Sequence, residues 1–95
     1  PGFRKPMANF TIDANMEEKS IVLSWEQPRD RVFSYQISRA KEGGKLRYLK
    51  TLSDAEVTTF SDKNVSINNK YFYSIKYINQ DGIHSTPAKG SVIYQ

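Results

Sequence analysis

The chain has 95 residues, enough for one domain, and a domain of this size buries roughly two-thirds of the surface that its unfolded chain exposes. It contains no cysteine, so disulfides and thiolate metal sites are excluded and packing alone must stabilise the fold. Fourteen Lys and Arg against ten Asp and Glu give a net charge of +4, but both signs are scattered along the chain, and no basic cluster predicts a nucleic-acid partner.

The termini and the apolar runs bear on domain organisation. No apolar run approaches the roughly 20 residues needed to cross a bilayer, so membrane insertion is not expected. The first residues, PGFRKPMANF, lack the apolar centre of a signal peptide. We interpret residues 1–6 as the remnant of a linker and residues 7–95 as a single domain excised from a longer protein.

Hydrophobic residues recur with a period of two, and no helical period persists long enough for an amphipathic helix. The first three predicted strands each place three apolar residues on one face: Phe10, Ile12 and Ala14; Ile21, Leu23 and Trp25; Phe33, Tyr35 and Ile37. The segment EQPRDR separates the second strand from the third, because Pro28 has no amide to donate to a sheet.

Four further strands follow. KLRYLKTL forms the fourth, although either of its faces could point inward, and EVTTFSD forms the fifth. The sixth lies in NNKYFYSIKYINQDGIHS and ends at the turn sequence Gln80-Asp81-Gly82. GSVIYQ forms the last. Seven short strands separated by turns predict an all-β chain folded as a sandwich of two sheets.

The sixth strand raises the question of whether its tyrosines form a binding surface or a core. Tyr71, Tyr73, Ile75 and Tyr77 alternate along the chain and therefore share one face. We predict that this face is structural core, together with Trp25 and Tyr35.

Several of these residues carry a family resemblance. Trp25 in SIVLSW, Tyr35 in SYQISRA and Tyr71, six residues after Val65, stand where a fibronectin type III domain has its characteristic aromatics. The residues after Tyr71 also fit that pattern in register. The chain resembles a fibronectin type III domain over essentially its whole length, which implies a seven-stranded, immunoglobulin-like β-sandwich of fibronectin type III topology. A true immunoglobulin domain is disfavoured, because its hallmark is a disulfide with Trp on the third strand.

The resemblance also implies a role for Tyr71 at the crossover before the sixth strand. We expect its ring to be buried and its hydroxyl to bond a backbone carbonyl of that crossover, as in a tyrosine corner. Ile67 replaces the proline that is usual just before this tyrosine.

A second, shorter resemblance concerns origin and location. The run TTFSDKNV, with Thr59, Phe60 and Asp62, resembles fibronectin type III modules of bacterial secreted glycoside hydrolases and surface proteins. It implies a bacterial protein that is extracellular, on the cell surface or periplasmic.

No set of residues predicts catalysis. His84 is the only histidine, and its neighbour Ser85 should point to the opposite side of an extended chain, so the two cannot act as base and nucleophile. The spacing of a calcium loop is missing, and Asp62 is expected to bond backbone in the turn that it enters. We therefore predict no catalytic residue, no metal site and no cofactor.

The face of the sixth strand opposite to the tyrosines is the candidate interaction surface. Phe72 and Ile78 should point outward there, and Tyr48 and Tyr94 lie on predicted neighbouring strands. Together these four residues could bind a neighbouring domain or stack on sugar rings. The alternative, which we favour, is that Phe72 is an isolated surface aromatic covered by lysine side chains.

These observations predict a non-catalytic module that spaces or docks neighbouring domains of the same chain and is a monomer in isolation. The alternative is an accessory module that binds a glycan or another protein, through the exposed aromatics or through the loop between the sixth and seventh strands.

Overall fold

The computed structural model describes residues 3–95 and contains seven strands in two antiparallel sheets. The strands are β1 (Thr11–Asn15), β2 (Ser20–Ser24), β3 (Val32–Lys41), β4 (Arg47–Leu52), β5 (Thr59–Asp62), β6 (Asn69–Asn79) and β7 (Ala88–Tyr94). One sheet has the order β1-β2-β5 and the other has the order β4-β3-β6-β7. The predicted all-β sandwich of seven strands is therefore confirmed.

The core lies between the two sheets and follows the period-two pattern of the sequence. Ile21 and Leu23 of β2 and Ile37 and Ile75 of the other sheet are fully buried. Trp25, just past the end of β2, continues the inward row of that strand, and its backbone amide donates to the carbonyl of Thr58. Burying such side chains stabilises the fold by about 1.5–3 kcal/mol each.

A bulge near the start of β3 changes the predicted inward row of that strand. The pairing register with β6 shifts between Val32 and Ser34, so Phe33 is the extra residue in the ladder. Phe33 is consequently exposed, and Val32 takes the buried position instead. The prediction that Phe33 shares the inward face of Tyr35 was wrong, because a bulge interrupts strict alternation.

A second irregularity settles which face of β4 points inward. The register between β3 and β4 skips Leu49, with Ile37 opposite Lys50 and Ser38 opposite Tyr48. Leu49 therefore packs against the core, while Tyr48 lies on the outer face of the sheet.

In β7 the inward row is Ala88, Gly90, Val92 and Tyr94, and Gly90 allows β1 to approach closely. A Cβ atom added at Gly90 would lie 2.8 Å from Cδ1 of Ile12. The absence of that atom lets the Ile12 side chain close the gap between the two sheets at this edge.

The turn between β6 and β7 is organised by Asn79. Its side-chain Oδ1 accepts hydrogen bonds from the amides of Asp81 and Ile83. Gly82 adopts a φ of 78°, a left-handed conformation that glycine accepts without strain. The turn predicted at Gln80-Asp81-Gly82 is therefore present.

The two ends of the described chain lie at opposite ends of β6. The amide of Arg4 donates to the carbonyl of His84, and the amide of Thr86 donates to the carbonyl of Arg4. This fixes Arg4, within the segment interpreted as a linker remnant, beside the β6–β7 connection; Pro1 and Gly2 of that segment lie outside the described residues. Tyr94, near the other terminus, pairs with Asn69 at the start of β6. Residues 3–95 contain no helix long and apolar enough to cross a membrane.

Candidate interaction surfaces and buried polar clusters

All six residues predicted from the sequence to form the structural core are buried. Trp25, Tyr35, Tyr71, Tyr73, Ile75 and Tyr77 each expose 5% or less of their surface. The Trp25 and Tyr35 rings are tilted by 54° with centroids 5.4 Å apart, within the range of favourable aromatic pairs. The Tyr35 hydroxyl donates a 2.7 Å hydrogen bond to the carbonyl of Ala55 in the β4–β5 connection.

The Tyr71 hydroxyl bonds the backbone of the β5–β6 crossover, but through a different group from the one expected. It accepts a 2.8 Å hydrogen bond from the amide of Ser66, whereas the family pattern predicts a bond to a carbonyl. The ring is buried, and the Arg39 guanidinium lies 5.8 Å from its centroid. Tyr71 therefore ties the start of β6 to the chain that arrives from β5.

A buried polar cluster links the two sheets and was not predicted as a unit. The carboxylate of Asp62, at the end of β5, is 3% exposed. Its Oδ2 accepts a 2.6 Å hydrogen bond from the Tyr73 hydroxyl and a 2.8 Å bond from Nη1 of Arg39. Its Oδ1 accepts from the amide of Asn64, which is the turn contact expected for this residue. Arg39 also donates to the carbonyl of Asn64. The charge of Asp62 is compensated by Arg39, and both of its carboxylate oxygens accept hydrogen bonds.

Protonation equilibria in this cluster are shifted. Burial raises the pKa of the Tyr73 hydroxyl strongly, and the hydrogen bond and negative charge of Asp62 raise it further. Burial acts to lower the pKa of Arg39, but the hydrogen bond and charge of Asp62 outweigh that effect and raise it. The cluster therefore holds a neutral tyrosine and a charged arginine on one carboxylate.

A second cluster surrounds Asp30, at the opposite end of the sandwich. Its Oδ2 accepts hydrogen bonds from the Tyr77 hydroxyl at 3.2 Å and from Nδ2 of Asn79 at 3.1 Å, and Nε of Arg4 lies 3.4 Å away. Its Oδ1 accepts a 2.8 Å bond from the amide of Arg31. Burial acts to raise the pKa of Asp30, but these hydrogen bonds and the Arg4 charge outweigh it and lower the pKa.

The four residues proposed as an interaction surface are not brought together. Tyr48 is 68% exposed and Phe72 is 36% exposed. Ile78 is half-buried, and its backbone forms a bridge with His84. Tyr94 is 3% exposed, so its assignment to the surface was wrong. It shares the inward face of β7 with Val92, and the residue that points outward is Ile93.

The large outward apolar side chains do not form one patch. Phe72 lies between Ser91 of β7 and Ala40 of β3, and Tyr48 lies two strands away from it, opposite Ser38. Nζ of Lys70 lies 5.2 Å from the centroid of the Phe72 ring and partly covers it. On this outer face, the two large aromatic side chains, Phe72 and Tyr48, are therefore separated from each other.

His84 and Ser85 do not form a base and nucleophile pair. The Ser85 hydroxyl is buried and accepts a 2.9 Å hydrogen bond from the amide of Tyr77, whereas Nδ1 of His84 lies 3.0 Å from Nζ of Lys76. Within residues 3–95, no three side chains of the metal-binding types come together.

A basic cleft that was not predicted from the sequence lies at one end of the sandwich. It has a volume of about 500 Å³ and lies between the β3–β4 hairpin and the β5–β6 connection. Its lining includes four cationic residues, Arg39, Lys41, Lys45 and Arg47. No acidic side chain in the described chain lines it. The four cations are close in sequence, but only the hairpin and its register show that they share a cleft.

The fold is shared with solved structures of known type. The chain is 20% identical to a fibronectin type III-like protein from Clostridium thermocellum over all of this chain and 94% of that one, with a TM-score of 0.73. It is 23% identical to a segment of two fibronectin type III domains from chicken tenascin over 96% of this chain and 50% of that one, with a TM-score of 0.79. It is 19% identical to the fibronectin type III domain of the human collagen alpha-1(XX) chain over 99% of this chain and 88% of that one, with a TM-score of 0.80.

These similarities show that the chain has the fibronectin type III fold, as its sequence predicts. No protein-family model and no curated protein sequence matches the chain.

Proposed function

We propose that this chain is a non-catalytic module that spaces or docks neighbouring domains of a protein that is extracellular, on the cell surface or periplasmic. The fold itself is compatible with many functions. The position of the two chain ends carries the proposal.

The ends are separated along the direction of β6. Arg4 forms a backbone bridge with Ser85, and the amide of Ser85 donates to the carbonyl of Tyr77. Arg4 therefore lies beside Tyr77 of β6. Tyr94 lies at the level of Asn69. Eight residues of extended strand separate these two levels of β6, a distance of about 26 Å at the usual rise of ~3.3 Å per residue. A domain placed before this chain and one placed after it would be held apart by that length.

The two polar clusters, around buried Asp62 and partly buried Asp30, favour a stiff spacer. Asp62 connects β5 of one sheet to β3 and β6 of the other, and Asp30 connects the β2–β3 loop to β6 and to Arg4. These contacts lie near opposite ends of the sandwich and resist bending of one sheet against the other. The tenascin segment, with two such domains in one chain, is an example of tandem use.

The proposal is tested by placing the 95-residue chain between two fluorescent proteins and measuring energy transfer in single molecules. A flexible Gly/Ser linker of equal length is the matched control. A stiff spacer predicts a narrow distribution of transfer efficiencies that persists in mild denaturant, whereas the control gives a broad one. A distribution as broad as that of the control would contradict the proposal. Turnover of polysaccharide or ester substrates by the isolated chain would also contradict it.

A further inference from the structure

We propose that the free edge of β7 is an interaction surface for a second copy of this chain. The two copies pair their β7 strands antiparallel, edge to edge, which joins their four-stranded sheets into one. This inference goes beyond the spacer role and does not depend on it. It agrees with a monomer at low concentration, because an interface of one strand pair is small and such interfaces are weak.

The first observation is the unpaired backbone of β7. It is the last strand of its sheet, so only one of its sides has a neighbour. The carbonyl of Tyr94 accepts from the amide of Asn68, which places the backbone groups of Tyr94 on the side of β6. Because these groups alternate along a strand, Lys89, Ser91 and Ile93 point theirs away from β6. No backbone group of the described turns and loops bonds to these three exposed residues. Each of them offers a donor and an acceptor to another strand.

The second observation is that the other three edge strands oppose pairing with a second copy. A symmetric pairing of β1 would place its central Asp13 opposite Asp13 of the second copy, and like charges directly opposite each other destabilise a sheet. The register of β4 is interrupted at Leu49, and this strand also carries Arg47 and Lys50. β5 has only four residues. Bulges, charges and short strands usually protect an edge. β7, in contrast, has seven residues in regular register, with one charge and no proline.

The third observation is that β7 is complementary to itself in one register. When Ser91 of each copy lies opposite Ser91 of the other, the whole strand from Ala88 to Tyr94 is paired. Lys89 of each copy then lies opposite Ile93 of the other, and the free backbone positions meet in hydrogen-bonded pairs. The aliphatic part of the lysine covers the isoleucine, whose side chain is 51% exposed in the single chain. In this register no charge of β7 lies opposite a like charge.

The inward side of this pairing extends the core. Ile12 and Ala14 of β1 and Val92 of β7 pack against the core but are only half-buried. In the proposed register Val92 of the second copy lies opposite Gly90, at a position where the two Cα atoms are about 4.5 Å apart. Gly90 has no side chain, and the Ile12 side chain occupies the space where its Cβ would lie. Val92 of the second copy therefore lies beside Ile12, so association buries apolar surface from both copies.

The test is sedimentation equilibrium of the full chain. We expect a monomer at about 20 µM and a mixture of monomer and dimer at about 1 mM, the range of a weak interface. The ¹⁵N-labelled chain locates the contact at the same two concentrations. The amide resonances of Lys89, Ser91 and Ile93 should shift as the concentration rises, whereas the amide of Lys50, at the opposite edge of the sheet, should not.

An exchange of charge at residue 91 tests the register. Ser91→Lys and Ser91→Glu each place like charges opposite each other at the centre of the pair, so each variant alone should associate about threefold or more weakly than wild type. An equimolar mixture of the two variants places opposite charges there and should associate at least as tightly as wild type. Ser53→Lys and Ser53→Glu, at an exposed position between β4 and β5, are the matched controls. Alone or mixed, they should change association by less than about twofold, because distant exposed charges are screened. A well-dispersed spectrum of each variant confirms that it is folded.

The proposal is overturned if the wild-type chain remains a monomer at about 1 mM. It is also overturned if the mixture of the residue 91 variants associates no more tightly than either variant alone, since the copies would then meet elsewhere or in another register. Equal effects of the residue 91 and residue 53 variants would overturn it too, because association would then depend on net charge alone.

Discussion

The Tyr73 hydroxyl and the Arg39 guanidinium donate to the same oxygen of Asp62, at 2.6 and 2.8 Å. Asp62 belongs to the three-stranded sheet, and its two partners belong to the four-stranded sheet. The contact therefore joins the sheets by a charge that is shielded from water. Removing one member of such a buried pair leaves the other uncompensated, which costs more than the pair itself contributes.

Replacement of Asp62 should destabilise the domain strongly. We expect Asp62→Ala to lower the free energy of unfolding by about 3 kcal/mol, because Arg39 and Tyr73 lose their acceptor in the interior. Asp62→Asn should cost less, since the amide oxygen still accepts one hydrogen bond. Urea unfolding monitored by Trp25 fluorescence gives both values. Asp13→Asn, at an exposed position on β1, is the control and should stay within about 0.5 kcal/mol of wild type. Equal effects at residues 62 and 13 would contradict the role of Asp62.

Tyr73 should limit stability at high pH. Its pKa is raised in the folded state, so the folded chain holds the hydroxyl proton at a pH where the unfolded chain, with a pKa of about 10, releases it. This contribution to stability is complete below about pH 10 and is lost as the pH rises above that value. In Tyr73→Phe the fall in unfolding free energy above about pH 10 should be less steep by ~1.4 kcal/mol per pH unit, which is the slope of one proton.

Urea unfolding between pH 8 and 11.5 measures this slope. Tyr35 and Tyr77 also have raised pKa values, chiefly because of burial, so the variant should retain some decline. Identical slopes in the variant and wild type would show that Tyr73 is not buried against Asp62.

Asp30 should contribute to instability in acid. Its pKa is lowered in the folded state, so its contribution to stability is present above the unfolded value of 3.8 and is lost as the pH falls through the lower, folded value. Asp30→Asn removes this titration and should give a melting temperature that falls less between pH 4 and pH 2 than that of wild type. The comparison is made by calorimetry. An equal fall in melting temperature between pH 4 and pH 2 in the two proteins would contradict this role of Asp30.

Loss of the Tyr71 hydroxyl should destabilise the crossover. In Tyr71→Phe the amide of Ser66 loses its acceptor, which should cost about 1 kcal/mol, the usual net value of one hydrogen bond. Tyr48→Phe is the matched control, because its hydroxyl bonds Thr51 on the exposed surface and its loss should cost less than about 0.5 kcal/mol. Denaturant unfolding distinguishes the two.

Removal of the Arg47 charge should stabilise the chain slightly. Arg47→Thr relieves the repulsion from Arg39 across the strand pair and places a β-branched residue in β4, so we expect a gain of about 0.3–1 kcal/mol. The gain should shrink at high salt, where the repulsion is screened. A loss of stability would show that Arg47 is already compensated within the fold.

The sequence predicted the sandwich because alternation is a direct consequence of strand geometry. Tyr71, Tyr73, Ile75 and Tyr77 lie inside since they differ by two positions on an uninterrupted strand. The prediction that Phe33 points inward was wrong because a bulge adds one residue to β3 at that position, and neither glycine nor proline marks the bulge in the sequence. The prediction that Tyr94 lies on the surface was wrong because the face of β7 that points inward depends on how β7 pairs with β6, which is a long-range contact.

The buried cluster could have been found from the same alternation. Asp62 lies on the same face of β5 as Phe60, and Arg39 lies on the same face of β3 as Tyr35 and Ile37. An acid and a base on the two inward faces predict an ion pair between the sheets. The basic cleft could not be found in this way, because it depends on how the hairpin bends over the β5–β6 connection.

The central proposal is that the domain holds its two ends apart as a stiff unit. Because the chain has no cysteine, Lys5→Cys with Gln95→Cys introduces the only two thiols, both at exposed positions, for spin labels. Double electron–electron resonance should give one narrow distribution of the distance between the two labels, centred at or above about 26 Å. This distribution should not change when a folded domain is fused at either end. A broad distribution, or one that shortens when a domain is attached, would contradict the proposal.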